Sequence, residues 1–198
     1  MNQQPPAVDQ LAARVRMLED KEQIRTLCHL YCRALDRADE TLLRSVFHPD
    51  STHSHGPFKG PSTDFCGFAM AVIRALDGTQ HHLSNVTIDV DGDAAFGESY
   101  FLAYHRVPKG LAADGVLAQH DSAIDEDLFI GGRYIDRYER RSGVWKIAHR
   151  TGVHDWEYWT AADARHFPLM GPDETGRRGP DDPVYALREK YFRMRTKD

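Results

Sequence analysis

Basic charge is in short supply: 25 Lys and Arg stand against 30 Asp and Glu, a net charge of −5 at pH 7. No cationic field is available to hold nucleic acid or an anionic membrane, whose binding depends on clustered Lys and Arg. No apolar run reaches the length of about 18 residues that a membrane span needs, and the opening MNQQPPAVDQ lacks the basic-then-apolar pattern of a secretory signal. These absences predict a cytoplasmic protein with no membrane or nucleic-acid partner. Only three cysteines occur, Cys28, Cys32 and Cys66, an odd set without paired C-x-x-C spacing, which argues against a disulfide framework and for buried free thiols. The phosphate-binding G-x-x-x-x-G-K-[ST], a strand-linked G-x-G-x-x-G, the serine elbow G-x-S-x-G and the zinc motif H-E-x-x-H are all missing, as are internal repeats.

What is present suits one folded domain: 198 residues, 41% apolar and 28% charged. Histidine is abundant at 11 residues, and it is the side chain that titrates nearest neutrality.

Periodicity divides the chain into helices first and strands second. Leu11, Val15, Leu18, Ile24, Leu27, Leu30, Tyr31 and Leu35 recur at three- and four-residue steps, predicting a long amphipathic helix over 8–36 with a possible break near Asp20. Residues 1–9 are expected to be a flexible terminus. A short helix is expected over 39–47, a short strand and turn over 51–60, and a third helix over 62–76 ended by Asp77-Gly78. Alternation then takes over, with a hairpin turning at 91–93, a loop at 108–125 and a second hairpin turning at Arg141-Ser142-Gly143. Residues 160–198, rich in Pro and Gly, read as an extension with a short helix at 184–195 that wraps the body or a neighbouring subunit. The fold class is α+β: three helices on the concave side of one curved antiparallel sheet. Self-association as a dimer or trimer is expected.

Several polar residues fall at positions suited to chemistry. Tyr31 and Asp36 lie five apart, about 140° around a helix, and share a face only loosely. His81 and Asn85 share one face of a strand, while His82 has the parity of Val86, Ile88 and Val90, unless a bulge exchanges the two sets. His105 shares a face with Ala103 and Phe101. An imidazole beside a carboxylate is held in one tautomer and can take and return a proton near neutrality, while a tyrosine hydroxyl can donate where negative charge develops. A metal site built from His53-x-His55, His48, His81-His82, His105 and Asp50 or Asp64 is the rival chemistry, but no ligand motif supports it.

The order Y-x4-D (Tyr31, Asp36), G-T-Q-H (Gly78–His81), A-Y-H-R (Ala103–Arg106) and G-G-R-Y-I-D-R-Y-E-R-R-S-G-V-W-K-I (Gly131–Ile147) resembles the SnoaL-like branch of the NTF2-like superfamily over residues 10–159. The resemblance implies a cone with a pocket in its open end and a cofactor-independent lyase, dehydratase-like or retro-aldol-like, acting on a hydroxylated aromatic or polycyclic small molecule. It assigns catalysis to Tyr31, Asp36, His81 and His105. His48, His53, His55, Asn85, Tyr134, Arg137 and Trp156 are the expected substrate-binding set, and no metal or cofactor is called for. The same fold also serves as a ligand-binding module, as a small structural subunit of ring-hydroxylating dioxygenases and as a ketosteroid-isomerase-like enzyme, so these alternatives stay open.

Overall fold

Residues 7–163, 170–171 and 174–194 are described by the structure, a computed structural model. Helix α1 runs unbroken over Ala7–Asp36, so the first turn occupies part of the expected flexible terminus, and residues 1–6 lie outside the described residues. Asp20 does not interrupt it. Its Oδ1 instead accepts from Arg140 Nη1 at 2.7 Å and Trp145 Nε1 at 2.8 Å, which ties the helix to the sheet. Asp20 also marks a change of face. Ile24, Leu27, Cys28, Tyr31 and Leu35 are buried in the core, whereas Val8, Leu11, Val15 and Leu18 are exposed. The single stripe read from the sequence is therefore two, and only the second meets the body.

The second helix is shorter than its periodicity implies. α2 spans Glu40–Ser45, with the Asp39 carboxylate capping it through Leu42 N at 2.9 Å. Phe47, expected within it, opens strand β1 (Phe47–His55), because the Val46 carbonyl accepts from Ile147 N and draws the chain into a sheet. β2 (Phe58–Pro61) and α3 (Ser62–Ala75) follow. The meander is β3 (Gly78–Asp91), β4 (Ala94–Val107), β5 (Glu126–Arg141) and β6 (Val144–Ala161). The last helix, α4, spans Pro183–Met194.

The four expected strands form one sheet of six, in the order β2-β1-β6-β5-β4-β3. β1 joins β6 in parallel while the other pairs are antiparallel, so the sheet is mixed rather than wholly antiparallel. It curves without closing, and α1 and α3 cover its inner face against β3 and β1. β3 contains the bulge on which its side-chain parity depends. The register shifts between Ser84 and Val86, and Asn85 stands at φ +45°, a left-handed conformation that Asn tolerates better than most residues. His81 and Leu83 consequently share the inner side with Val86 and Ile88, and His82 is exposed. The expected parity of the histidines is reversed.

Candidate active site

The C-terminal end of α1 and the start of β3 meet at His81 and Asp36. Asp36 Oδ1 lies 2.7 Å from His81 Nδ1, and Oδ2 accepts from the His81 backbone N at 3.0 Å. The side chains are 6% and 13% exposed, dry enough to make both bonds count. A carboxylate only accepts, so Nδ1 carries the proton and Nε2 presents its lone pair. The ring lines a cavity of about 110 Å³, several times the roughly 10–15 Å³ that one water molecule requires. Asp36 does not line it. The carboxylate lies behind the ring, in a separate surface depression with His29, Arg33 and Arg37. The loose helical spacing is thereby explained, since Tyr31 faces the cavity and Asp36 the back of the imidazole.

Four imidazoles line the cavity: His55, His81, His105 and His154. His105 is offset from His81 by two residues across the β3–β4 ladder, and the rings meet edge to face at 5.4 Å. Its Nδ1 lies 3.0 Å from the Thr79 hydroxyl, and burial pushes its pKa down to about 3. His55 and His154 share a proton between Nε2 atoms 3.0 Å apart. Burial, with His154 next, takes His55 down to about 3, and burial also lowers His154. These three rings are neutral at physiological pH and act as hydrogen-bonding groups.

Tyr31 supplies a buried hydroxyl with no hydrogen-bond partner among the described residues, and burial raises its pKa so that it remains a donor. Its ring is held from behind by Arg150, whose guanidinium carbon lies 4.0 Å from the Tyr31 centroid and 4.3 Å from that of Tyr134. Arg150 is bonded to Asp136 through Nε and Nη2 at 2.7 and 2.6 Å, and both side chains are fully buried. Tyr138 adds a third bond to Asp136 at 2.6 Å. The rest of the lining is apolar, including Phe65, Phe68, Ile73, Phe101, Leu128 and Ile130, and contains no Lys, Arg, Asp or Glu. Val116 and Leu117 complete the wall from the β4–β5 loop. That loop is pinned by His120, whose Nδ1 meets Glu126 at 2.8 Å and whose Nε2 meets the Pro108 carbonyl at 3.2 Å.

Of the expected site residues, the structure brings Tyr31, His81, His105, His55 and Tyr134 to the cavity wall, with Asp36 directly behind. Five are elsewhere. His48 bonds the Glu139 carbonyl at 2.9 Å and anchors the start of β1. His53 is stacked on Phe65 at 3.4 Å, a core spacer with neither nitrogen bonded among the described residues. Asn85 forms the exposed bulge, Arg137 pairs with Glu139 in solvent, and Trp156 covers Gly131 on the outer face of the sheet. Among the described residues no cluster of three or more His, Cys, Asp or Glu is arranged to hold a metal ion. No motif in the sequence marks His154 or Arg150, and Asp136 stands in the Gly131–Ile147 motif with no role assigned to it. On β6 the register slips between Ile147 and His149, which moves the inner parity from Trp145 and Ile147 to Arg150 and His154, whereas Asp136 simply keeps the parity of Tyr134 and Tyr138.

A helix-lined, incompletely closed sheet with this pocket is the NTF2-like cone. The SnoaL-like domain family matches residues 16–151, and the chain belongs to that family. Among solved structures it is similar to a candidate scytalone dehydratase from Novosphingobium aromaticivorans, at 26% identity and a TM-score of 0.59 over 75% of this chain and 91% of that one. A type-3 hexachlorocyclohexane dehydrochlorinase from Novosphingobium barchaimii shares the fold at 20% identity and a TM-score of 0.61, over 79% of this chain and 99% of that one. No curated protein matches the sequence significantly.

Proposed function

We propose that the cavity is the active site of a cofactor-independent lyase that acts on an uncharged, largely apolar ring compound bearing a hydroxyl leaving group. One observation carries this reading: a doubly bonded carboxylate holds His81 through Nδ1, leaving Nε2 for substrate on a ring that lines a cavity with no Lys, Arg, Asp or Glu in its wall. An anionic or cationic substrate would bury its charge there unpaired, at a cost of several kcal/mol. The likeness to a candidate dehydratase supports elimination in particular.

In the proposed reaction His81 Nε2 takes a proton from carbon and the C–H electron pair forms the new double bond. The hydroxyl leaves as water on receiving a proton from Tyr31, while His105 orients it through a hydrogen bond. His81 then returns its proton to the donor through the released water, which restores the starting state. Retro-aldol cleavage makes the same demand, with the base acting on a hydroxyl instead of carbon.

The test follows ultraviolet absorbance as bicyclic β-hydroxy ketones become conjugated enones. His81→Ala and Asp36→Asn should each lower turnover by at least about a hundredfold with an unchanged circular dichroism spectrum. A wild-type protein that binds these compounds in the cavity without converting any of them would overturn the reading in favour of a ligand-binding module.

A further inference from the structure

Residues 7–19 of α1 are exposed apart from the half-buried Ala12, and full burial begins only at Asp20. At 1.5 Å per residue they make an arm about 20 Å long, too short to be a stable helix in isolation. Along it Val8, Leu11, Val15 and Leu18 are 76, 60, 44 and 68% exposed. Their 3-4-3 spacing is that of the a and d positions of two heptads. At about 100° per residue, this stripe lies roughly 160° around the helix from the buried stripe that begins at Ile24. It therefore cannot fold onto its own body.

We propose that the arm pairs with the same arm of a second copy of this chain as a parallel two-stranded coiled coil. Three features choose this occupant. Valine at both a positions and leucine at both d positions favour two parallel strands. Arg14 falls at g and Glu19 at the following e, so each Arg14 meets Glu19 of the partner subunit in a parallel pair, whereas an antiparallel pair would set Arg14 against its own copy. The stripe stops where Glu22 and Arg25 take the next a and d positions and bond to each other at 2.7 Å. Contact is thereby confined to the arm and leaves both cavities free.

The experiment combines sedimentation equilibrium over a hundredfold range of concentration with a thiol trap. Cys28, Cys32 and Cys66 are buried, so an introduced thiol reports on the arm alone. Leu11→Cys, at d, should form a disulfide-linked dimer at least about tenfold faster than Ala13→Cys on the opposite side, because only facing d positions approach disulfide distance. Val15→Glu with Leu18→Glu should convert the wild-type dimer to monomer without lowering the melting temperature of the body. Three results would each overturn the proposal: a wild-type monomer throughout, equal trapping rates, or a dimer that persists in the double variant. The last would move the interface to another surface, such as the outer sheet face around Tyr100, Leu102 and Trp156.

Discussion

Replacing Asp136 with asparagine tests the support behind the cavity. Asp136 and Arg150 are both fully buried, and the carboxylate takes two bonds from the guanidinium and one from Tyr138. The amide would keep the shape, remove the charge and leave a guanidinium unpaired between two aromatic rings. Breaking a buried pair from one side costs about 3–5 kcal/mol. At roughly 2–4 °C per kcal/mol for a domain of this size, a loss of about 4 kcal/mol lowers the melting temperature by about 8–16 °C. Removing both charges together, as Asp136→Leu with Arg150→Met, should restore much of the loss, since an apolar replacement of a whole buried pair is often neutral or stabilising. Urea unfolding of Asp136→Leu, Arg150→Met and the double variant gives the coupling energy directly. The reasoning fails if Asp136→Asn costs less than about 1 kcal/mol, or if the double variant is as unstable as the sum of the singles.

Acid should destabilise the fold from about pH 6.5 downwards. His55 and His105 have pKa values near 3 when folded, against about 6.5 when unfolded. The unfolded chain therefore binds these protons first. Stability is complete above about pH 6.5 and falls as pH drops towards 3, by up to about 1.4 kcal/mol per pH unit for each ring. His105→Gln should flatten that slope in urea midpoints measured from about pH 7.5 to 5, and an unchanged slope would remove His105 from the account. Ala38, just beyond α1, holds φ +51° while the Asp39 N–H closes on the Ala34 carbonyl at 2.9 Å. Ala38→Gly should relieve this left-handed strain and stabilise by about 0.5–1 kcal/mol; a lower melting temperature would contradict it.

The helices and the meander were legible because their periods are set by burial on one side, as in Ser62–Ala75 and in the β3–β4 hairpin. His81 and Asp36 could be placed through the Y-x4-D and G-T-Q-H motifs of the resemblance, since the bulge at Asn85 reverses the parity that alternation alone implies. The features that escaped depend on pairing between distant segments. Phe47 obeys helical spacing but is taken by β6, and His53 looks like a ligand until Phe65 is stacked on it. His154 and Arg150 stood in the sequence, but only the sheet register turns both inward. Valine and leucine in the first half of α1 fit an amphipathic helix equally well whether their stripe faces the same chain or another.

The bulge at Asn85 gives β3 two reading frames. On one side of it lies the half-strand that sets His81 against Asp36, and on the other the half that packs Ile88 into the core. Pairing this one exposed residue into the ladder, with Asn85 opposite Ser99, would change no side chain of the cavity, yet it would oblige the strand either to swing His81 to the outside or to turn its apolar residues towards water. Length here is as much a part of the acid–base apparatus as the identity of its side chains. The site should accept the loss of residue 85, which leaves Ser84 opposite Tyr100 and Val86 opposite Ser99 in an unbroken ladder, and hardly any further residue paired in there.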